Sequence, residues 1–186
     1  MKRTIVSFDV GIKNLGFCVA TVEAGKFYLV KADKESFDKA PLNSMICPIV
    51  TWLRNEFKNT EFAKTDVVLI ENQMKARMKV IQTIIGTFFE VATPAIVRFV
   101  SAVGKLKFAE GSEEAKGKSG YAMRKAMGIS EVKRLTRGQF VCDYSKEDDV
   151  CDAIMQAYAF CVSKKWIEET AMIELLGMPL PHIIAS

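Results

Sequence analysis

The chain has 186 residues, 49% hydrophobic and 26% charged, with 26 Lys+Arg against 22 Asp+Glu and a formal net charge of +4. This length fits one domain around one core, and the ordinary globular composition excludes a disordered, collagen-like or coiled-coil chain. The net charge conceals a segregation: residues 72–146 hold 14 basic and 6 acidic residues, whereas residues 147–186 hold 2 and 7, so an anion-binding middle precedes a carboxylate-rich tail.

The longest apolar region, Val80 to Val100, is broken by Gln82, Glu90, Pro94 and Arg98, and no membrane span is expected. Met1-Lys2-Arg3-Thr4 leads into a short apolar run interrupted by Asp9, which is not the pattern of a secretory leader. Cysteines at positions 18, 47, 142, 151 and 161 form an odd set without metal-type pairing. Buried free thiols in an intracellular, reducing compartment are expected.

In chain order, Thr4 to Asp9 is β-branched and apolar and ends at Gly11, which predicts a buried strand. Leu15 to Val22 and Lys26 to Ala32 follow as two more, joined by a short hairpin turn at Glu23-Ala24-Gly25. Asn43 or Ser44 caps a predicted helix to about Lys58, with Met45, Ile49, Trp52, Leu53 and Phe57 as its apolar stripe. Asp66 to Glu71 lacks alternation and reads as a strand buried on both faces. A helix is predicted over Gln73 to Val91, stopped by Pro94, and a strand over Ala95 to Ala102. Lys105 to Arg137 is the least regular stretch, rich in Gly and Lys up to Gly120 and helical beyond it. Glu147 to Trp166 reads as a long, apolar and therefore buried helix. The expected fold is a single α/β domain over residues 1–186: a mixed sheet of about five strands, helices on both faces, and a basic insertion at about 105–137.

Two of these hydrophobic strands end in an acid, Asp9 and Glu71. Buried acids are costly unless paired or metal-bound. If the strands are parallel neighbours, their carboxylates meet at one sheet edge, where α/β sites form. Asp149 and Asp152 stand three apart at the start of the last helix and point to one side. Asp148 competes with Asp149, because it lies four residues before Asp152 and helix geometry alone does not choose between them. Turn, ion-pair and helix-dipole roles account for each acid separately. Taken together, four oxygen ligands without neighbouring His or Cys match a hard-cation site. Such a cluster suits two divalent ions about 3.5–4 Å apart that hydrolyse a phosphodiester, and the basic middle would hold the polyanion.

Phe8-Asp9-Val10-Gly11-Ile12-Lys13-Asn14-Leu15-Gly16 resembles the first motif of RuvC-like Holliday junction resolvases, in the D-x-G-I-K-N form of the poxvirus resolvases. Ile70-Glu71-Asn72-Gln73 is similar to their second motif. Lys146-Glu147-Asp148-Asp149-Val150-Cys151-Asp152-Ala153 resembles the third, D-x-x-D-A at a helix start, preceded in the viral branch by Lys and an extra Asp. The resemblance implies an RNase H-like fold and an endonuclease acting on Holliday junctions in the host cytoplasm. It also implies that Asp9, Glu71, Asp149 and Asp152 bind the metals, with Asp149 preferred to Asp148. Two Mg2+ ions, replaceable by Mn2+, are the expected cofactors. Lys146 matches a position expected to meet phosphate or a reaction intermediate, and Lys13 and Asn14 are placed to touch the DNA backbone.

Lys75, Arg77 and Lys79 open the helix after Glu71 and are expected to contact phosphates. Lys116, Lys118, Arg124, Lys125, Lys133, Arg134 and Arg137 make a second basic cluster around a Gly-rich segment suited to ordering on DNA. The single histidine, His182, sits in a Pro-flanked tail and argues against Ser-His or Cys-His catalysis. On the 73–91 helix, Met74, Met78, Ile81, Ile85, Phe88 and Phe89, extended by Val80, Ile84 and Val91, span about half the circumference. That exceeds the roughly 100° stripe needed against one core, and a homodimer through this helix is expected. The alternatives are an RNase H-like nuclease acting on RNA or RNA/DNA hybrid, and a non-catalytic nucleic-acid binding module. An actin-like kinase also opens with D-x-G, but this chain lacks the second copy of that motif.

Overall fold

The computed structural model describes residues 1–37, 41, 44–57, 64–101, 120–140 and 148–177. Strand β1 (Arg3–Asp9) is followed by β2 (Leu15–Glu23) and β3 (Lys26–Glu35). The β2–β3 turn places Ala24 at φ 50° and Gly25 at φ 76°, the paired positive angles that suit the right-handed twist of a two-residue hairpin. Helix α1 (Ile46–Phe57) leads to β4 (Val67–Glu71), α2 (Ala76–Ala92) and β5 (Ile96–Val100). Helix α3 (Gly120–Leu135), helix α4 (Asp148–Ser163) and a short β6 (Ile173–Leu175) complete the described elements.

The six strands form one sheet in the order β5-β4-β1-β2-β3-β6. β1 pairs antiparallel with β2 and parallel with β4, and β4 pairs parallel with β5. The expectation of about five strands omitted β6, which adds parallel to β3. Three residues are too few to show a period in sequence. α2 starts at Ala76, not Gln73, because Gln73 is held outside the helix by its backbone N–H bond to Gln82 Oε1 at 2.8 Å. Ser44 does not cap α1: its hydroxyl donates to the Pro41 carbonyl at 3.2 Å.

Helices cover both faces. α1 and α2 pack Ile49, Leu53, Ile81, Ile85 and Phe89 against Val6, Phe8, Val68 and Ile70. On the other face α3 and α4 pack Val132, Leu135, Ile154, Met155 and Tyr158 against Ile5, Cys18, Ala20 and Leu69. α4 is buried almost all round, from Val150 to Cys161, as its apolar sequence predicts. Burial raises the Cys161 thiol to about 12 and the Tyr158 phenol to about 12. The Tyr158 hydroxyl lies 2.6 Å from the Glu169 carbonyl and 2.8 Å from that of Ala171. Cys18, Cys151 and Cys161 are buried, but Cys47 is exposed. It stands on the outer side of α1, away from the stripe of Ile49 and Leu53, which corrects the expectation of uniformly buried thiols. No helix among the described residues is long and apolar enough to cross a membrane. Lys105, Lys116, Lys118, Cys142, Lys146 and His182 lie outside the described residues.

Candidate active site

Strand alternation fixes which side of the sheet the acids face. Ile5 belongs to the α3/α4 core and Val6 and Phe8 to the α1/α2 core. Asp9, two residues beyond Ser7, therefore projects towards α4. On β4, Val67 and Leu69 face α4 while Val68 and Ile70 face away, so Glu71 also projects towards α4. In the parallel β1–β4 register Phe8 lies opposite Ile70, and each acid is the next residue along. Two carboxylates thus end neighbouring strands on one face of the sheet.

The start of α4 brings the other two. Asp9, Glu71, Asp149 and Asp152 line one cleft of about 740 Å³, together with Lys13, Asn14, Lys75 and Lys125. Asp9 is only 7% exposed. Glu71 Oε2 accepts a 3.0 Å hydrogen bond from Gln73 Nε2. The Gln73 backbone is in turn tied to the buried Gln82, and the Asn72 N–H donates to the Val100 carbonyl at 2.8 Å. Sequence reasoning missed this brace. Gln82 showed there only as an interruption of an apolar run, since its partner lies across a turn.

Asp148 is not among the cleft-lining residues. It forms an ion pair with Lys125, whose Nζ also lies 3.8 Å from Asp149 Oδ1. Both Asp148 and Asp149 sit in the first turn of α4, where the helix dipole favours negative charge. The cleft donors are carboxylate and amide oxygens, with no His or Cys among the lining residues, a set that fits a hard divalent cation. As they stand, no three such groups among the described residues are close enough to hold one ion.

The other expected contact residues divide. Lys13, Asn14, Lys75 and Lys125 line the cleft; Arg77 and Lys79, further along α2, do not. Gly11 allows the turn carrying Lys13 and Asn14, since a Cβ there would come 2.1 Å from the Asn14 carbonyl oxygen. On α3, Arg124 is exposed and Lys133 half-buried, and Arg137 is exposed just beyond the helix. Arg134 is committed within the fold, its Nε and Nη2 donating to the buried Glu131 at 2.9 and 2.6 Å. Ile81, expected at a dimer surface, is fully buried in the α1/α2 core. Met74, Val91, Ile96 and Phe99 are instead the large apolar residues left exposed on or beside α2 and β5.

Strand order, direction and the helices on each face give the RNase H-like fold in its RuvC-type form. A family model described as Poxvirus A22 protein matches residues 3–164. The chain belongs to that family, the poxvirus Holliday junction resolvases. Fowlpox virus resolvase, solved in complex with Holliday junction DNA, is similar at a TM-score of 0.60 with 19% identity, covering 87% of this chain and 98% of its own. T. thermophilus RuvC in complex with a Holliday junction substrate matches at a TM-score of 0.60 with 13% identity, covering 88% and 96%. The yeast mitochondrial Holliday junction resolvase matches at 0.56 with 14% identity, covering 90% and 82%. None of the curated protein sequences compared with the chain is significantly similar to it.

Proposed function

We propose that the chain is a divalent-metal-dependent, structure-selective endonuclease that resolves Holliday junctions and other branched DNA by paired phosphodiester hydrolysis, in the cytoplasm of the host cell. The observation that carries this reading is the meeting of four carboxylates, from β1, β4 and α4, in one cleft edged by lysines. Family membership supports the same activity.

Asp9, Glu71, Asp149 and Asp152 would hold two Mg2+ ions, with Mn2+ as a substitute. When bound, such ions supply a water of lowered pKa and stabilise the charge of the leaving oxygen. The remaining work falls to the chain. Gln73 holds the Glu71 carboxylate by a hydrogen bond from its side-chain amide, while its backbone N–H is anchored on Gln82. Lys13, Asn14 and Lys75 line the wall of the cleft and would grip the phosphates on either side of the scissile bond. Such contacts position a duplex without reading its sequence. Lys125 would lend a further positive charge, and Lys146 is carried as a phosphate contact on the resemblance of its motif. Arg124, Lys133 and Arg137 would extend the binding surface along α3, with Arg77 and Lys79 outside the cleft on α2.

Cutting two opposed strands requires two such clefts on one junction, which supports a homodimer. Its surface would lie on α2 and β5, where Val91, Ile96 and Phe99 are exposed. The test is nicking of four-way junction, linear duplex and RNA/DNA hybrid in Mg2+. Selective cleavage of the junction is expected. Preference for the hybrid would make the protein an RNase H-type enzyme, and binding without cleavage would make it a binding module.

A further inference from the structure

We infer that Gln156 is a positioning residue of the cleft: it sets the distance between the Asp149–Asp152 turn of α4 and Asp9 on β1. The inference rests on the reading of the cleft as a divalent-metal site.

Gln156 is 4% exposed, among the buried apolar residues in the middle of α4. Its Nε2 donates to Ser7 Oγ at 3.1 Å and to the Phe8 carbonyl at 3.2 Å. Phe8 immediately precedes Asp9, and Gln156 follows Asp152 by one helical turn on the same side of α4. One amide therefore joins the helix turn bearing two acids to the strand residue beside a third. The orientation of the amide is fixed, because reversing it would set Oε1 against the Phe8 carbonyl.

Two neighbouring contacts pull the same region together. Cys18, opposite Ser7 in the β1–β2 register, donates its thiol to the Ala153 carbonyl at 3.4 Å. Gly16, opposite Asp9, lies against the Asp149 backbone. Both act from β2. Gln156 reaches β1, the strand that carries Asp9.

The second polar atom of Gln156 argues that this is not a stabilising device. Oε1 is buried without a hydrogen-bond partner among the described residues, a state that disfavours folding relative to an apolar side chain of similar volume. Apolar packing is only weakly directional, whereas two bonds from one amide to adjacent residues specify height and angle. Without them, repulsion among the carboxylates displaces the start of α4, and bound metal has to draw it back.

Gln156→Met fills the same space without either bond, and Ser7→Ala removes one acceptor only. In chelator, Gln156→Met should unfold at the same temperature as the unaltered protein or higher, and bind junction DNA equally well. The Mg2+ concentration for half-maximal nicking should rise about tenfold, as is common when a group supporting metal ligands is lost, with the rate largely restored at saturating Mg2+. Calorimetric titration with Mn2+ in the absence of DNA should show the same weakening, and Ser7→Ala a smaller one. An unchanged metal response in both variants overturns the inference. So does a lowered unfolding temperature with a loss of rate that saturating Mg2+ does not restore. If the unaltered protein shows no Mn2+ binding that Asp9→Asn removes, the metal reading itself fails.

Discussion

A Cβ placed on Gly16 would lie 2.2 Å from the carbonyl oxygen of Asp149. That distance is far inside van der Waals contact, so β2 and the first turn of α4 touch backbone to backbone. Gly16 is also the cross-strand partner of Asp9. One glycine thus links the strand ending in the first acid to the helix whose first turn carries the third. The demand is for space, because Gly16 is not among the glycines with positive φ.

Gly16→Ala is therefore expected to push Asp149 out of the cleft. Backbone cannot rotate away as a side chain can, and overpacking of this kind costs about 1–3 kcal/mol. Thermal unfolding should register that loss. Nicking in Mg2+ should fall by more than the folded fraction does, and a variant with full activity would show that α4 shifts without consequence.

The four cleft acids should separate from Asp148 when each is changed to its amide. Asp9→Asn, Glu71→Gln, Asp149→Asn and Asp152→Asn each remove a charged oxygen from the site. Losses should exceed the about 10–100-fold seen for groups that merely support metal ligands. Junction binding in chelator should persist or tighten, since negative charge near phosphate is removed. Asp148→Asn leaves Lys125 beside Asp149, removes no cleft carboxylate and should be milder. Near-normal cleavage by both Asp149→Asn and Asp152→Asn would remove α4 from the site.

Much of this arrangement is legible in sequence because it follows from strand period and chain order. The apolar runs ending in Asp9 and Glu71 fix two strands, and alternation then fixes which face their acids share. The parts that are not legible depend on burial and contacts that only the folded chain supplies. Gln82 and Gln156 look like stray polar residues among the buried positions of their helices; their bonds to Gln73, Ser7 and Phe8 exist only once the chain is folded. The wide apolar arc of α2 misleads for the same reason. Ile81, Ile85 and Phe89 are consumed by Phe8, Ile70 and α1, so apolar surface that suggests a partner is partly the chain's own core. Arg134 reads as one more cation of a basic cluster until buried Glu131 is found beside it.

The basic residues should accordingly fall into three groups. Lys13→Ala and Lys75→Ala, on the cleft wall, should weaken junction binding and reduce its logarithmic salt slope by about one unit for each phosphate no longer neutralised. Arg77→Ala and Lys79→Ala should change the slope less. Arg134→Ala should act on stability, because it leaves the Glu131 carboxylate buried without its guanidinium. Arg134 is itself 44% exposed, so the cost should be below the about 3–5 kcal/mol of breaking a fully buried pair. Binding measured against salt, beside thermal unfolding, distinguishes the groups; an unchanged slope for Lys13 and Lys75 together would move the DNA away from this wall.

The dimer can be tested on the residues that remain exposed. Val91 is 83% and Phe99 52% exposed, so Val91→Asp and Phe99→Asp place a charge where the monomer loses little. Phe99 rests on α2 beside Gly86, its ring 3.1 Å from where a Cβ would stand, and a modest loss of stability is expected there. Ile81→Asp, by contrast, buries a charge in the α1/α2 core and should prevent folding. If α2 and β5 form the interface, Val91→Asp and Phe99→Asp should sediment as folded monomers at concentrations where the unaltered protein is a dimer. They should nick one strand of a junction without coordinating the second cut, since each carries a complete cleft but no partner. An unaltered protein that sediments as a monomer at micromolar concentration, with and without junction DNA, would rule the dimer out.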